Sequence, residues 1–225
     1  MGSHRLPGKI LKDVGGKPLL HHVALRLERR TAGTGFVIAT STLPQDDAVE
    51  ALCGALRVNC FRGSEENVLE RYVQCARAYG YEHVVRMTGD NPFPDVEEMN
   101  RLIDFHLSRG LQFSENFSVL PVGVGMEILT RDALEESLEN AFLPKHFEHA
   151  DEYVLDNLDS FRHGTCLPPE SKRRPEVRLT VDTPEDYRRA CYIVEHAGED
   201  YITTETAIAL SFQYDANAAA SAGGG

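Results

Sequence analysis

Short apolar runs alternate with amphipathic segments through the first half of the chain, and this alternation limits the folds that the chain can adopt. The predicted elements here are strands at 36–40, 58–61 and 83–88 and helices at 17–30, 46–56, 65–79 and 96–109. Strands that alternate with helices pair into a sheet with helices on both faces. We therefore predict an α/β fold with a mostly parallel sheet, whose ligand site lies beyond the carboxyl ends of the strands.

The second half of the chain has a less regular pattern. We predict two or three strands within 111–130, helices at 132–140 and 145–158, a Pro-rich loop at 168–175, a strand at 177–181 and a helix at 184–195. Thr183 and Pro184 suit the N-cap and first position of that last helix. Residues 216–225 are almost all Ala, Ser and Gly, which predicts a disordered tail after a single domain at 1–215.

Charge and cysteine content exclude several functional classes. The 225-residue chain has a net charge of −12, which argues against broad binding to nucleic acid or to an anionic membrane. Its five cysteines are scattered without a C-x-x-C pair, and they follow no secretory signal. We expect a soluble cytoplasmic protein in which any anion site is a local basic patch.

The first nine residues form such a patch. Gly2 and Gly8 allow the backbone to turn its N–H groups toward an anion, while Arg5 and Lys9 supply positive charge. This composition favours a polyphosphate-binding loop. Met-Gly-Ser-His is also a common remnant of cloning, so the loop taken alone leaves that alternative open.

Two aspartates each end a predicted strand and begin a turn that contains proline. Asp90 lies in Thr-Gly-Asp-Asn-Pro, and Asp182 lies in Val-Asp-Thr-Pro-Glu-Asp. Mg²⁺ prefers one or two protein carboxylates and completes its shell with water and phosphate, so the pair indicates a metal site beside the basic loop. Aspartate before a turn or helix cap is also common for hydrogen-bonding reasons alone.

Three further residues are candidates for contact with a substrate. Arg86 lies inside a predicted strand, where it requires either a carboxylate partner or an anionic substrate. Glu127 follows Gly125, which indicates either a close approach of the chain or a bulge. His149 lies near His146 without a third ligand at suitable spacing, so we interpret these histidines as a helix face that touches substrate or a second subunit.

Taken in order, these motifs resemble one protein family. The resemblance is carried by the segments 2–9, 16–19, 62–64, 88–92, 125–127 and 181–186. Together they resemble the cytidylyltransferases that include CMP-sialate and CMP-octulosonate synthetases, and most closely the branch of spore-coat polysaccharide biosynthesis proteins. The likeness extends to about residue 197.

The resemblance implies a fold, a reaction and a set of residue roles. The fold would be the Rossmann-like nucleotide-diphospho-sugar transferase fold, with a small substrate or dimerisation lobe at about 111–160. The reaction would join a nucleoside monophosphate, most simply CMP from CTP, to an acidic or phosphorylated sugar and release pyrophosphate. The implied nucleotide-binding residues are Gly2, Ser3, Arg5, Gly8, Lys9, Ser64 and Gly89, with Arg5, Lys9, Asp90 and Asp182 as catalytic residues. Asp90 and Asp182 would hold Mg²⁺, and Arg86, Asn91, Glu127 and His149 would contact the sugar.

One departure from the family leaves alternatives open. Relatives have a central strand and an arginine before the Gly-Ser of the loop, and here Met1 stands in their place. Loss of that strand would leave sheet hydrogen-bonding groups unpaired, which predicts either a misassigned start or a truncated form. The alternatives to a CTP-dependent enzyme are therefore the same chemistry with another triphosphate such as GTP, or an inactive protein that binds nucleotide or a partner.

Overall fold

A computed structural model describes residues 5–31, 34–199 and 201–222. Its strands are β1 (Asp13–Val14), β2 (Lys17–Pro18), β3 (Val37–Ser41), β4 (Asn59–Gly63), β5 (His83–Arg86), β6 (Phe113–Glu115), β7 (Glu127–Thr130) and β8 (His163–Thr165). Its α-helices are α1 (Leu19–Leu27), α2 (Asp47–Leu56), α3 (Val68–Tyr79), α4 (Val96–Ser108), α5 (Arg131–Asn140), α6 (Pro144–Glu148), α7 (Glu152–Asp156), α8 (Pro184–His196) and α9 (Thr204–Ala222). Short 3-10 helices begin at Lys9, Pro44, Leu158 and Glu170. Within the described ranges, none of the helices has both the length and the apolar character needed to cross a membrane.

The described strands form two main sheets with mixed pairing. Strands β3 and β4 are parallel, while the second sheet has the order β5-β7-β6-β8. In that second sheet, β7 runs antiparallel to both neighbours and only β6 and β8 are parallel. The α/β class is as predicted, but the sheet is less parallel than expected. The difference arises because β7 runs opposite to both of its neighbours, β5 and β6. Strand β8 lies in a stretch for which the sequence predicted no strand.

A wide gap separates these two sheets. Among the described strands, β3 is hydrogen-bonded only to β4 and β5 only to β7. Between the free edges of β3 and β5 lies a cavity of about 640 Å³, lined mainly by apolar side chains such as Ile38, Val85 and Ile128. One end of this cavity reaches Gly89 and Asp90.

Most helices lie where their periodicity predicted, and two of the exceptions have clear local causes. The first helix begins at Leu19 rather than at residue 17, because β1 and β2 form a small hairpin through Gly15 and Gly16, both of which have positive φ. The predicted helix at 145–158 is divided into α6 and α7, because His149 between them has an extended backbone.

Two other expectations on the second half were wrong. Residues 177–181 were predicted as a strand, but they make only the single bridge between Val122 and Arg178. Residues 216–222, predicted as disordered, continue helix α9. Alanine has the highest helix propensity of all residues, so a helix that already packs on α8 extends through them readily. The remaining tail residues, 223–225, lie outside the described part of the chain.

One of the three apolar clusters of the core fixes the loops that matter for function. Leu6, Val14, Leu19, Phe93 and Val181 are all buried in it. These residues come from the N-terminal loop, the β1–β2 hairpin, the start of α1, and the segments after β5 and before α8. Burial of apolar side chains from each of them holds these distant segments together at one place.

Candidate active site

The centre of the candidate site is an ammonium group between two carboxylates. Lys9 Nζ donates to Asp90 Oδ2 at 2.5 Å and to Asp182 Oδ1 at 2.7 Å. The lysine side chain is 12% exposed, and the aspartates are 23% and 21% exposed. Residues 81 and 173 positions apart from Lys9 therefore meet beside the basic loop. The sequence predicted this convergence from the positions of the two strand ends.

The local backbone aims Lys9 at this point. Leu6 is 8% exposed and anchors the loop in the core. Gly8 has φ of 66°, a left-handed conformation that glycine adopts without steric cost, and a 3-10 turn begins directly after it at Lys9. The loop residues Gly2 and Ser3, which the sequence analysis predicted to bind nucleotide, lie outside the described ranges.

Asp182 is fixed by the beginning of helix α8. Thr183 and Asp186 form a capping box, and Asp186 also accepts a hydrogen bond from the backbone N–H of Asp182 at 3.1 Å. The second carboxylate oxygen of Asp182 is paired with Arg178. Arg5, which is largely exposed, lies with Nη2 3.6 Å from Asp182 Oδ1. Arg178 and Arg5 therefore lie close to this carboxylate in addition to Lys9.

Asp90 is fixed by its own turn and by the neighbouring segment. Thr88 Oγ1 donates to Asp90 Oδ1 at 2.6 Å, which holds the carboxylate toward Lys9. The backbone N–H of Val181 donates to the carbonyl of Asp90 at 3.0 Å. The two aspartate loops are thus tied together through their backbones as well as through Lys9.

The protonation states follow from these contacts. Burial tends to raise the pKa of Asp182, but the hydrogen bond from Lys9 and the charges of Lys9, Arg178 and Arg5 hold that pKa below its ordinary value. Burial tends to lower the pKa of Lys9, but its hydrogen bonds to Asp182 and Asp90 raise it above its ordinary value. At neutral pH the ammonium group is charged, and so is the Asp182 carboxylate.

The two aspartates fit the donor set that Mg²⁺ requires. Both carboxylates approach one cation, the Lys9 ammonium, from different loops. Mg²⁺ binds hard oxygen ligands and commonly takes only one or two from protein carboxylates, with the rest from water and phosphate. Within the described residues there is no group of three or more His, Cys, Asp or Glu side chains arranged to hold a metal. A cation bound here would therefore depend on ligands from a polyphosphate.

A small polar pocket of about 160 Å³ adjoins Asp90, and its walls carry buried charges. Arg86 pairs with Glu127 and lies 3.2 Å from Asp151 through Nη1 and Oδ1. Burial and the nearby Asp151 raise the pKa of Glu127 above its ordinary range, although Arg86 opposes this. Gly125 is required here, since a Cβ at that position would lie 2.5 Å from Phe117 Cα. The close approach predicted from Gly125 is therefore present.

The other predicted site residues have different positions. Gly89 lies at the end of the large cavity, and Asn91 lines the small pocket. Ser64 accepts a hydrogen bond from the backbone N–H of Asn67 before helix α3, which is a structural contact. His149 is exposed at the end of α6 and does not line the small pocket. Asp151, two residues later, does.

Sequence reasoning missed Asp151 and Arg178. Asp151 lies in an irregular turn between α6 and α7, and no pattern in the sequence distinguishes it from its acidic neighbours. Arg178 lies four residues before Asp182 in a segment whose apolar alternation resembled a strand. A charged residue inside such a segment was a signal that it faces an anionic partner.

The chain combines a mixed α/β fold with a cationic loop that faces two carboxylates, and comparison with known proteins identifies its class. Residues 1–210 match the family described as Cytidylyltransferase, and the chain belongs to this family. It is 35% identical over 204 residues to the spore coat polysaccharide biosynthesis protein SpsF of Bacillus subtilis, a match that covers 88% of this chain and 85% of that protein.

Solved structures agree with this assignment. A cytidylyltransferase from Leptospira borgpetersenii superposes with a TM-score of 0.84 at 28% identity, covering 97% of this chain and 92% of that one. A CMP:2-keto-3-deoxy-manno-octonic acid synthetase complexed with CTP superposes with a TM-score of 0.65 at 18% identity, covering 86% and 94%. The second likeness concerns the fold alone. The predicted nucleotide-diphospho-sugar transferase fold and the predicted nucleotidyltransferase class are confirmed.

Proposed function

We propose that this protein transfers CMP from CTP to a sugar and releases pyrophosphate, for the synthesis of a surface polysaccharide. The observation that carries the proposal is the meeting of Lys9, Asp90 and Asp182 at one point beside the cationic loop. The names of relatives support the nucleotide and the sugar, since one relative acts in spore coat polysaccharide biosynthesis and a structural neighbour was solved with CTP.

In this reaction an oxygen of the sugar, either a phosphate oxygen or a hydroxyl that loses its proton to solvent, forms a new bond to the α-phosphorus of CTP. The bond between the α-phosphorus and the bridging oxygen breaks, and pyrophosphate leaves with the electron pair. Lys9 and Arg5 would bind the triphosphate and offset the negative charge that develops on the leaving group. The lysine is already desolvated and oriented by two carboxylates, so little reorganisation is needed to present its charge.

Asp90 and Asp182 would hold Mg²⁺, which supplies Lewis-acid stabilisation of the phosphate oxygens when it is bound. Arg178 helps to keep Asp182 ionised and oriented, and Thr88 orients Asp90 by its hydrogen bond. Each aspartate therefore has a supporting residue that fixes its position. Such positioning is what a transfer reaction with little covalent participation by the protein requires.

The test is a pyrophosphate-release assay with CTP, GTP, UTP and ATP, each combined with a panel of sugars, in the presence of Mg²⁺. We expect release with CTP and at least one sugar. Asp182→Asn and Asp90→Asn should each reduce kcat by about 10²-fold or more, which is the size typical for loss of an electrostatic contact in a transition state. Asp156→Asn is the matched control, because Asp156 is an exposed carboxylate on α7 whose partners are Lys145 and the buried His146.

The alternatives predict different results. Release with GTP but not with CTP would retain the chemistry and overturn the choice of nucleotide. Thermal stabilisation by CTP without release for any sugar would favour a protein that binds nucleotide without turnover. Full activity in both aspartate variants would overturn the assignment of this site.

A further inference from the structure

Every carboxylate oxygen of the two site aspartates has a partner within the protein. Asp90 Oδ1 accepts from Thr88 Oγ1, and Asp90 Oδ2 accepts from Lys9 Nζ at 2.5 Å. Asp182 Oδ2 is paired with Arg178, and Asp182 Oδ1 accepts from Lys9 Nζ at 2.7 Å. Among the residues that the structure describes, Lys9 is the cation that contacts both carboxylates. A divalent cation held by both aspartates therefore competes with this ammonium group.

The formal charges around the aspartates are already compensated. The cations paired with Asp90 and Asp182 are Lys9, Arg5 and Arg178. Arg178 is shared with Asp186, so the two aspartates have no negative charge in excess. A free divalent cation would add two positive charges beside an ammonium group that is only 12% exposed and is therefore weakly screened by solvent. Repulsion by Lys9 thus opposes binding of the free ion.

The Lys9 side chain can leave the aspartates while its backbone stays in place. Leu6 is buried in the core and a 3-10 turn begins at Lys9, so the backbone of the loop is fixed. The ammonium group is carried on a flexible four-carbon stem and has three rotatable donors. A triphosphate bound beside the loop offers strongly anionic oxygens toward which this group can turn. The lysine would then exchange one anionic partner for another, and its charge would stay compensated.

We propose that Lys9 holds the cation position between Asp90 and Asp182 until a nucleoside triphosphate binds, so that the site takes up a divalent cation only together with the nucleotide. The proposal rests on the proposed function, because it assumes that these aspartates hold the divalent cation of the transfer reaction. It gives Lys9 a second role besides binding the triphosphate. The residue keeps the two carboxylates together and prevents them from binding metal before the nucleotide.

Binding of the metal and binding of the nucleotide are coupled in this arrangement. The triphosphate draws the ammonium group away from the aspartates, which opens their oxygens to the metal. Thermodynamic linkage requires that each ligand raise the affinity for the other by the same factor. Direct contact between metal and phosphate also contributes to this coupling, and it is present with or without Lys9. The contribution of Lys9 is therefore measured as the affinity for metal without nucleotide.

The experiment measures binding of Mn²⁺, a spectroscopic substitute for Mg²⁺, by electron paramagnetic resonance. Wild type, Lys9→Met and Lys9→Gln are titrated without nucleotide and with α,β-methylene-CTP, which cannot be cleaved at the methylene bridge. A titration of the analogue alone gives the Mn²⁺ that it binds in solution. Without nucleotide, we expect both variants to bind Mn²⁺ about tenfold or more tightly than the wild type. The analogue should increase the affinity of the wild type by a larger factor than that of either variant.

Controls assign the effect to this contact. Lys17→Met removes an exposed lysine of the β1–β2 hairpin, and its affinity for Mn²⁺ should equal that of the wild type. Addition of Asp182→Asn to Lys9→Met should abolish the gain, because the double variant lacks one of the two carboxylates. Lys9→Gln retains a donor without the charge, which preserves the loop if Lys9→Met disturbs it. In circular dichroism melts, Mn²⁺ should stabilise both Lys9 variants more than the wild type.

Two outcomes would overturn the role proposed for Lys9. In one, the wild type binds Mn²⁺ without nucleotide as tightly as both Lys9 variants do. In the other, neither variant binds Mn²⁺ without nucleotide. Neither outcome depends on turnover, so release of pyrophosphate from CTP by the wild type would leave the transferase function standing in both cases. Tighter binding of Mn²⁺ by the variants, with no release by the wild type for any sugar, would instead overturn the function and leave Lys9 as the residue that excludes the free ion.

Discussion

The cavity between β3 and β5 encloses about 640 Å³ and is lined mainly by apolar side chains, whereas the pocket beside Asp90 encloses about 160 Å³ and is lined by Arg86, Glu127 and Asp151. The large cavity follows two sheet edges that are not paired with each other. The small pocket concentrates buried charges and unpartnered polar atoms. Its volume is about a quarter of that of the large cavity. In this protein the size of a cavity follows from how the strands pair, and it does not show where the buried charges lie.

The largest expected effect concerns Lys9, at the centre of the candidate active site. Lys9→Met should reduce pyrophosphate release by about 10²–10³-fold, because it removes the cation that binds both carboxylates and, in our proposal, the triphosphate. Steady-state kinetics with CTP measures this. Lys17→Met is the control, since Lys17 is an exposed lysine in the adjacent hairpin. Equal activity of the two variants would contradict the assignment of function to the charged residues around Asp90.

The next effect concerns pH and the wall of the apolar cavity. His106 is fully buried between Ser114 and His83, and burial together with the charge of His83 lowers its pKa to about 4. In the unfolded chain this histidine binds a proton at its ordinary pKa of 6.5, whereas in the folded protein it binds one only near pH 4. Protonation of the unfolded chain therefore lowers the free energy of unfolding as pH falls from 6.5 toward 4. The loss approaches about 3 kcal/mol at the acid end.

Denaturant unfolding of the wild type and of His106→Gln at several pH values between 4 and 7 measures this contribution. The difference in free energy of unfolding between the two proteins should shift in favour of the variant as pH falls. His196→Gln, at the exposed end of α8, is the control for the substitution itself. A constant difference across the range would mean that His106 titrates normally in the folded protein.

A glycine substitution at the small pocket should have an intermediate effect. Gly123 has φ of 92°, and a Cβ there would lie 2.7 Å from the Thr180 backbone nitrogen and 2.9 Å from Asn91 Oδ1. Gly123→Ala should therefore cost about 2 kcal/mol and also lower activity by displacing Asn91. Gly80→Ala also has positive φ but meets no atom within 4 Å, so it should cost about 1 kcal/mol and leave activity unchanged. Thermal melts with parallel activity assays distinguish the two.

The smallest effect tests whether the large cavity matters for function. Ala39→Leu places extra carbon atoms into the apolar space beside β3 and should stabilise the protein by about 1 kcal/mol without changing kcat. Ala133→Leu is the control, because Ala133 is completely buried in close packing and enlargement there should destabilise. A loss of activity in Ala39→Leu would show that the apolar cavity is part of the site, and the comparison of the two regions would then fail.

Sequence reasoning could predict that Lys9, Asp90 and Asp182 lie together because it used one rule that acts over long distances and one local pattern. Asp90 and Asp182 were predicted to meet because each follows an apolar segment whose end faces the same edge of the fold, and this holds although the segment before Asp182 pairs only by one bridge. Lys9 was predicted from local composition. The contact of all three requires only that the apolar segments are buried together.

Other features could not be read from local patterns. Asp151 lies at the pocket because α6 ends at Glu148 and His149 is extended, in a segment where α6 packs on α3 and α7 packs on α5. The helix at 216–222 was predicted as disordered because its composition offers nothing to bury, yet it extends a helix anchored by Arg189, which pairs with Asp215, and by Tyr214. In both cases tertiary contacts far along the chain decided the local structure.

The capping box at Thr183 ties a site residue to a whole helix. Because Asp186 accepts from the backbone N–H groups of both Asp182 and Thr183, the backbone that carries the Asp182 carboxylate is tied to the first turn of α8. Occupancy of the site should therefore be measurable away from it, as slower amide exchange in that turn when CTP binds. The exchange rate of these amides would therefore report CTP binding without a label on the substrate.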